Sequence, residues 1–383
     1  MLIEDYKEQI YNCGRCGYCI GAYLNHICPS RFIAGFESAT GRGRMLIAQA
    51  LLEGKLEYSE NLVSMLYTCF LCGACSAKCE SAAKIKIVEI TKAMRSDSLN
   101  FGIQLEKLVP GAKAIMEQHN IYSEPSEKRT TFLTPDSKIS EKADLLYFPG
   151  CVITFRYPNI VRNALKILNM AGIDVTVLGE EEWCCGNPLY FMGMTEAAKK
   201  IAQHNVEKIR EKGAKTVLTS CAGCYRAIKQ DYEKILGQPL PFNVVHITQF
   251  LDKLVNEGSI KLGKSCIKKV TYHDPCEIGR YFKIYEAPRR ILQNVPDLDF
   301  VEMPRHGDNS WCCGGGGSVN IVHTYQALKV GELRIIEAKE TGAKTLVTAC
   351  PSCVQMLELA SKRKRTGMKV IDISELVLDA LRT

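Results

Sequence analysis

From residue 144 onward the chain alternates short apolar runs with longer stretches of helical period. The apolar runs at 144–149, 174–178, 215–220 and 243–246 predict strands, and the periodic stretches at 157–171, 194–211, 222–236 and 247–256 predict helices. Alternation of this kind implies a parallel sheet covered by helices. The pattern then repeats. Leu145-Leu146-Tyr147-Phe148-Pro149-Gly150-Cys151 matches Val270-Thr271-Tyr272-His273-Asp274-Pro275-Cys276, and Gly213–Cys221 matches Gly342–Cys350. Asn243-Val244-Val245-His246-Ile247 matches Lys369-Val370-Ile371-Asp372-Ile373, so the offset stays near 125–129 residues throughout. A repeat of that constancy is a duplication. It predicts two similar α/β lobes, at 144–258 and 268–383, facing each other across a pseudo-twofold axis.

Upstream the pattern differs. Helices are predicted at 43–54, 59–68 and 83–95, the first opened by Gly41-Arg42-Gly43-Arg44, and cysteine-bearing loops separate them. Residues 1–95 therefore read as a small helical domain. The stretch Ser123–Ser140 is rich in Ser, Pro, Glu, Lys and Thr, so residues 96–143 read as a linker without chemistry of its own.

Cysteine changes this picture most. Of 19 cysteines, all but Cys266 fall into ordered groups. Copy one of the duplication carries Cys151, Trp183-Cys184-Cys185-Gly186 and Cys221-x-x-Cys224. Copy two carries Cys276, Trp311-Cys312-Cys313-Gly314 and Cys350-x-x-Cys353. Five thiols per copy exceed what one tetrahedral metal needs, and thiolate selects iron–sulfur, zinc or Cu(I). The N-terminal domain adds Cys13-x2-Cys16-x2-Cys19 with Cys28, and Cys69-x2-Cys72-x2-Cys75 with Cys79. That is the two-cluster ferredoxin spacing, in which each trailing cysteine serves the other cluster. It assigns Cys13, Cys16, Cys19 and Cys79 to one cubane [4Fe-4S] cluster, and Cys69, Cys72, Cys75 and Cys28 to a second. Two departures stand out: eight residues separate Cys19 from Cys28, and Glu80 rather than proline follows Cys79. Structural zinc is the competing reading, but three ligands in C-x2-C-x2-C lie closer together than in zinc ribbons.

Composition narrows the class further. A chain of 383 residues suggests two or three domains. No stretch approaches the ~20 apolar residues of a membrane span. Met1-Leu2-Ile3-Glu4-Asp5-Tyr6 lacks the regions of a secretory signal, which with these cysteines points to the reducing cytoplasm rather than to a disulfide scaffold. The formal charge of +7 counts thiols as neutral; anionic clusters offset it, so a nucleic-acid surface is not indicated. The basic run Lys362–Arg365 lies between a helix and a strand and reads as a solvated turn. No G-x-G-x-x-G follows a first strand, so neither flavin nor NAD is expected on this chain, and electrons come from a partner.

The duplicated five-cysteine groups resemble the CCG domains of the heterodisulfide reductase family. With the N-terminal domain fused ahead of them, the chain resembles the D-type subunit of membrane-linked heterodisulfide reductases. The resemblance implies an α/β fold: a helical two-cluster ferredoxin-like domain, then two duplicated α/β CCG lobes. It also implies a noncubane [4Fe-4S] cluster on each set of five cysteines, the pair flanking and splitting a disulfide such as that of coenzymes M and B. The implied partners are a membrane cytochrome b or a flavoprotein subunit, with peripheral docking to the cytoplasmic membrane face through that partner. Related iron–sulfur subunits of glycolate and lactate oxidases share the layout and only relay electrons; fold alone does not separate the two roles.

Several single residues carry paired readings. His273, in the run His273-Asp274-Pro275 directly before Cys276, either supplies a proton to a leaving thiolate or hydrogen-bonds a cluster sulfur or backbone. Trp183 and Trp311 either wall clusters from water or pack equivalently in a duplication. Gly314–Gly317 permits close backbone approach, whereas copy one has Gly186-Asn187-Pro188, which predicts one lobe open to substrate and the other more closed. His204, His246, His323 and Cys266 read as structural; Arg15, Arg42 and Arg44 either stabilise clusters, guide a partner or pair on the surface.

Overall fold

The computed structural model describes residues 1–21 and 27–381. Strands β1 (Leu145–Tyr147), β2 (Thr216–Thr219) and β3 (Asn243–His246) form a parallel sheet in that order, with Leu146 beside Val217 and Val217 beside Val244. Strands β4 (Lys269–His273), β5 (Asp299–Phe300), β6 (Thr345–Thr348) and β7 (Lys369–Asp372) form a second parallel sheet, ordered β5-β4-β6-β7. Its register sets Thr271 beside Leu346 and Leu346 beside Val370. The central residues of both sheets are buried, as parallel strands covered by helices on both faces must be.

The two lobes differ at one edge. The strand expected at 174–178 reduces to a single bridge, Leu146 to Thr176, because Gly179 at φ +62° turns the chain away into Gly179–Glu181. Copy two keeps a short strand there, β5. The helix expected at 222–236 forms, but as Ala222–Arg226, a π turn at Ala227–Asp231, and Tyr232–Leu236. The wide turn marks the site of a buried ion network, as such turns often do. The helices Pro158–Met170, Thr195–Glu211 and Ile247–Asn256 fall within a residue or so of expectation.

In the N-terminal part, Gly41–Leu52, Glu60–Leu66 and Ile87–Asn100 are helical. They enclose a core of Ile3, Met45, Leu51, Leu66, Ile90 and Met94. The segment 96–143, expected as a linker, is folded: Val109–Gln118 is a helix, and Leu108, Ile115 and Phe132 join the core that runs beneath both lobes.

One arginine joins the three parts. Arg95 is fully buried and stacks on the Tyr67 ring at 4.1 Å. Its Nη1 donates to the carbonyls of Phe191 (copy one, 2.8 Å) and Gly317 (copy two, 3.0 Å). Its Nη2 donates to those of Leu66 and Cys69 in the N-terminal domain, at 3.0 and 2.9 Å. A buried guanidinium is tolerated only with such partners. The glycine run seals the same junction. A Cβ on Gly317 would lie 2.2 Å from the Cys69 carbonyl oxygen, and one on Gly316 would lie 2.6 Å from that of Phe70.

Candidate functional site

Cys13, Cys16, Cys19 and Cys79 line one cavity, with Arg42 and Ile85 at its walls. Cys16 is exposed, so this end of the molecule reaches the surface. Arg42 reaches from the Glu37 carboxylate (2.7 Å) into this cavity; Arg44 is instead buried and donates to Thr68 Oγ1 at 3.0 Å. Cys75 is half-buried, with Cys69, Cys72, Cys28 and Cys19 in electrostatic reach, and desolvation pushes its thiol well above the usual range. Cys28, despite the long gap before it, lies within electrostatic reach of Cys75 and Cys72 of the second group and of Cys19 of the first; residues 22–26 of that gap lie outside the described residues.

The duplicated cysteines come together as their order suggested. In copy one the thiols lie side by side in a chain, Cys151 next to Cys184, then Cys185, Cys224 and Cys221. Copy two repeats it as Cys276 to Cys312 to Cys313 to Cys353 to Cys350. The chains meet where Cys221 contacts Cys350, so all ten sulfurs are contiguous across the pseudo-twofold axis. Each pair's second cysteine receives bonds from two neighbouring thiols, which draws Cys185 and Cys313 down to about 6. Cys276 and its copy-one equivalent Cys151 open short helices after β4 and β1; Cys350 and Cys221 precede helices after β6 and β2. These are the carboxyl ends of parallel strands, where open α/β sheets gather ligands.

The donor set fits iron–sulfur clusters. The chain's own backbone supplies N–H groups to sulfur: Gly314 to Cys312 and Gly315 to Cys313, each at 3.4 Å, with Gly186 and Asn187 serving Cys184 and Cys185 likewise. A Cβ on Gly150 (φ +75°) would lie 2.6 Å from Cys224 Sγ, so only glycine leaves room beside that thiol. Five contiguous sulfurs with N–H donors and a glycine wall suit a multi-iron cluster better than a single tetrahedral ion.

The surroundings of the two sets are unlike. In copy one, Trp183 is sandwiched between His119 and His204, with ring centroids 3.5 and 3.6 Å away. The His119 carbonyl accepts from Cys184 N (2.7 Å) and Arg129 Nη2 (2.8 Å). Arg129 also approaches Cys151 Sγ at 3.8 Å and pairs with buried Glu182 at 2.9 Å, so the segment read as chemically idle supplies a cation to the copy-one sulfurs. In copy two, Trp311 faces Arg305 at 3.6 Å and the edge of Phe32 at 5.0 Å. Arg280 donates to the Cys72 carbonyl at 3.2 Å and lies within electrostatic reach of Cys276, linking this set to the second N-terminal group. None of Arg95, Arg129, Arg280 or His119 belongs to a recognisable motif, and only their burial in the fold exposes them.

His273 is buried at the end of β4, with a ring nitrogen within 4.8 Å of the Cys313 and Cys353 sulfurs. Its Nδ1 accepts from Arg334 Nε at 3.1 Å, and burial with that nearby cation pulls its pKa down to about 3. The ring is thus neutral with its proton on Nε2, which has no partner among the described residues. That geometry suits an N–H donor to sulfur better than an imidazolium that gives up a proton. His246 and His323 are structural: His246 caps Ile247–Asn256, and His323 binds the Ser64 carbonyl at 2.8 Å. Cys266 is exposed and lines a cleft with Asn159, Lys369 and Asp379.

A cavity of ≈ 920 Å³, counted to its open mouth, lies between the lobes. It touches Cys276, Cys313, Cys350 and Cys353 of copy two, but of the copy-one motifs Asn187, Pro188 and Gly223, none of them a thiol. The glycine difference predicts one open and one closed lobe without saying which; the cavity lies against the copy-two thiols.

Comparison with known proteins agrees with this arrangement. A cysteine-rich CCG domain model matches residues 145–229 and 270–358, and a 4Fe-4S dicluster domain model matches residues 9–83. The chain is 37% identical to the D-type subunit of the Methanosarcina barkeri dihydromethanophenazine:CoB–CoM heterodisulfide reductase, over 96% of this chain and 93% of that one. It is 29% identical to a Syntrophomonas wolfei EtfAB:quinone oxidoreductase over 62% of this chain and 34% of that one. Among solved structures, a hypothetical protein from Helicobacter pylori shares the fold, with TM-score 0.60 at 10% identity, over 100% of this chain and 75% of that one. The chain belongs to the D-type family of heterodisulfide reductase subunits, which are iron–sulfur oxidoreductases.

Proposed function

We propose that this chain is the catalytic subunit of a disulfide reductase, with S–S cleavage in the cavity between the lobes. The observation that carries the reading is the unbroken run of ten sulfurs across the lobe junction, opening into a cavity on the copy-two side. A pure relay has no use for such an opening. The Methanosarcina relative's name carries the CoB–CoM heterodisulfide; the reaction class, RSSR′ + 2 e⁻ + 2 H⁺ → RSH + R′SH, is what is proposed here.

Cys13, Cys16, Cys19 and Cys79 would hold one cubane, and Cys28, Cys69, Cys72 and Cys75 the other. Each duplicated set of five would hold a noncubane cluster. Such clusters supply one-electron carriage and a thiophilic centre for substrate sulfur. The protein's part is order and shielding. Cys75 lies in electrostatic reach of Cys19, and Cys72 of Cys276, so the groups are strung from exposed Cys16 to the cavity. Phe191, Ile321 and Met356 wall the cavity with apolar surface that keeps water from the reacting sulfur. His273 brings a ring nitrogen within 4.8 Å of the Cys313 and Cys353 sulfurs, and Arg129 brings a guanidinium to 3.8 Å from Cys151 Sγ.

A partner subunit, a membrane cytochrome b or a flavoprotein, exchanges electrons at the Cys16 end. No helix among the described residues is long and apolar enough to cross a membrane, so contact with a cytoplasmic membrane face runs through the partner. Anaerobically purified holoprotein with reduced viologen and a small disulfide tests the reading: thiol release at two electrons per S–S bond is expected. Full reduction of the clusters by the dye without thiol release contradicts it.

A further inference from the structure

Cys151 and Cys276 hold equivalent places in the two sets of sulfurs, yet the charge beside them is unlike. Arg129 brings Nη2 to 3.8 Å from Cys151 Sγ and has Cys184 in electrostatic reach as well. The guanidinium is held there from two sides. Its Nη1 donates to Glu182 Oε1 at 2.9 Å, and its Nη2 donates to the His119 carbonyl at 2.8 Å. Each anchor is itself tied to the copy-one cysteines. Glu182 Oε1 accepts from the N–H of Gly150, the residue before Cys151, at 3.1 Å, and the His119 carbonyl accepts from Cys184 N at 2.7 Å. Arg129 and Glu182 are both buried, so solvent screens the cation little.

Copy two is built otherwise. Matching Trp183 to Trp311 puts Ser310 at the position of Glu182. The carboxylate of Glu277 lies within electrostatic reach of the Cys276 sulfur. Arg226 pairs with Glu277 at 2.9 Å, but its other nitrogens face Asp231 and Glu89. Arg280 has Cys72, Cys276 and Cys312 in reach, so its charge is shared with an N-terminal cysteine group, and its bonds go to the carbonyls of Cys72, Asp308 and Ser310. The ring nitrogen near Cys313 and Cys353 belongs to His273, a neutral group.

We propose that Arg129 is a positioning residue for electrons: by donating to a copy-one sulfur it makes the copy-one set the easier of the two to reduce. The inference rests on the cluster assignment above. A cationic N–H at a ligating sulfur stabilises the more negative, reduced state and raises the potential, whereas a carboxylate beside a ligand lowers it. The N-terminal groups approach the duplicated sulfurs at Cys276, through Cys72 and Arg280. The first electron therefore moves on to the copy-one side and the second stays beside the cavity. Cleavage of one S–S bond takes both, one for each sulfur, with two protons from water; the partner subunit is the reductant.

Potentiometric titration of the holoprotein, followed by electron paramagnetic resonance, reads the two duplicated sets. Cys151→Ser, which removes a copy-one sulfur, shows which signal is which. In the wild type the copy-one signal should appear at the higher potential. Arg129→Gln removes the cation but keeps a hydrogen-bonding side chain. It should lower the copy-one midpoint by about 59 mV or more, a tenfold loss in that one-electron equilibrium, with the copy-two midpoint and the iron content unchanged. Arg129→Lys keeps the charge and should fall between the two. A residue that only supports the fold would shift both midpoints together or neither. Equal midpoints in the wild type, or a higher one for copy two, overturn the inference even where Arg129→Gln loses iron; so does a copy-one midpoint that Arg129→Gln leaves in place. Both results spare the cluster assignment, which falls, and the inference with it, only if the duplicated cysteines of the wild type carry no iron.

Discussion

The two copies of the duplicated lobe hold the same five cysteines in the same chain of contacts, yet nearly everything around those sulfurs differs. Copy one is closed. Its Trp183 lies between two imidazoles, Arg129 covers Cys151, and a helix, Asn187–Phe191, follows its cysteine pair. Copy two is open. Its pair is followed by four glycines, two of which let the N-terminal domain approach by its Cys69–Phe70 backbone, and its thiols line the cavity. The duplication preserved the sulfur ligands and released the rest, so one lobe carries both the approach of the N-terminal domain and the cavity. Electrostatics follow the same division: Arg280 links copy two to the Cys72 carbonyl, whereas the arginine of copy one comes from the segment 96–143.

The largest effect expected from breaking this arrangement is at Arg95, whose guanidinium bonds to both copies and to the N-terminal domain. Arg95→Met leaves four buried carbonyls unserved and should cost about 3–5 kcal/mol. Thermal unfolding under anaerobic conditions would show it as a large drop in Tm with loss of iron from the N-terminal groups.

The next contrast sets copy against copy. Gly317→Ala would put a methyl 2.2 Å from the Cys69 carbonyl and force backbone to move. A loss of about 2–4 kcal/mol is expected from overpacking plus positive φ. Gly186→Ala in copy one meets Ile201 at 3.3 Å and the Ala198 carbonyl oxygen at 3.6 Å, neither a hard clash, so the left-handed backbone dominates and about 1–2 kcal/mol is expected. Denaturant unfolding of the two variants ranks them; equal losses would mean the glycine run does not seat the N-terminal domain.

The smallest contrast is in pH. The last residue of β3 is His246 and its equivalent in β7 is Asp372; both are buried and both cap the following helix. Burial lowers His246 to about 4 and raises Asp372 to about 7. His246 therefore contributes stability that is present above about 6.5 and lost as pH falls toward 4. Asp372 contributes stability that is present below about 4 and lost as pH rises to 7. Asp372→Asn should gain on the wild type by about 1.4 kcal/mol per pH unit across that window and level off above it. His246→Asn should gain only as pH drops below about 6.5. Unfolding curves at about pH 5, 6 and 7.5 separate the two slopes, and parallel curves for both variants and wild type would refute the assignment.

Much of this was legible in the chain. The cysteine groups, the offset of the repeat, and strands such as Thr216–Thr219 and Thr345–Thr348 follow from apolar runs and spacing, because period and ligand geometry are local properties. The strand at 174–178 was not, since Val175 and Val177 are buried whether or not their backbone pairs beyond one bridge. The packing of 96–143 was obscured by its polar composition: Leu108, Ile115 and Phe132 are too sparse to set a period. Arg95, Arg129 and Arg280 lie in no motif, and an isolated arginine reads as surface until the fold buries it.

The central claim is that the two sets of five sulfurs hold iron clusters facing one cavity where a substrate sulfur can reach them. Electron paramagnetic resonance of oxidised, ⁵⁷Fe-enriched protein with and without a small thiol tests it most directly, on material whose iron content is measured alongside. The account predicts about sixteen irons per chain, as four four-iron clusters require, and a thiol-dependent paramagnetic signal broadened by ⁵⁷Fe. Half that iron, or spectra of cubane type that the thiol leaves unchanged, would contradict it.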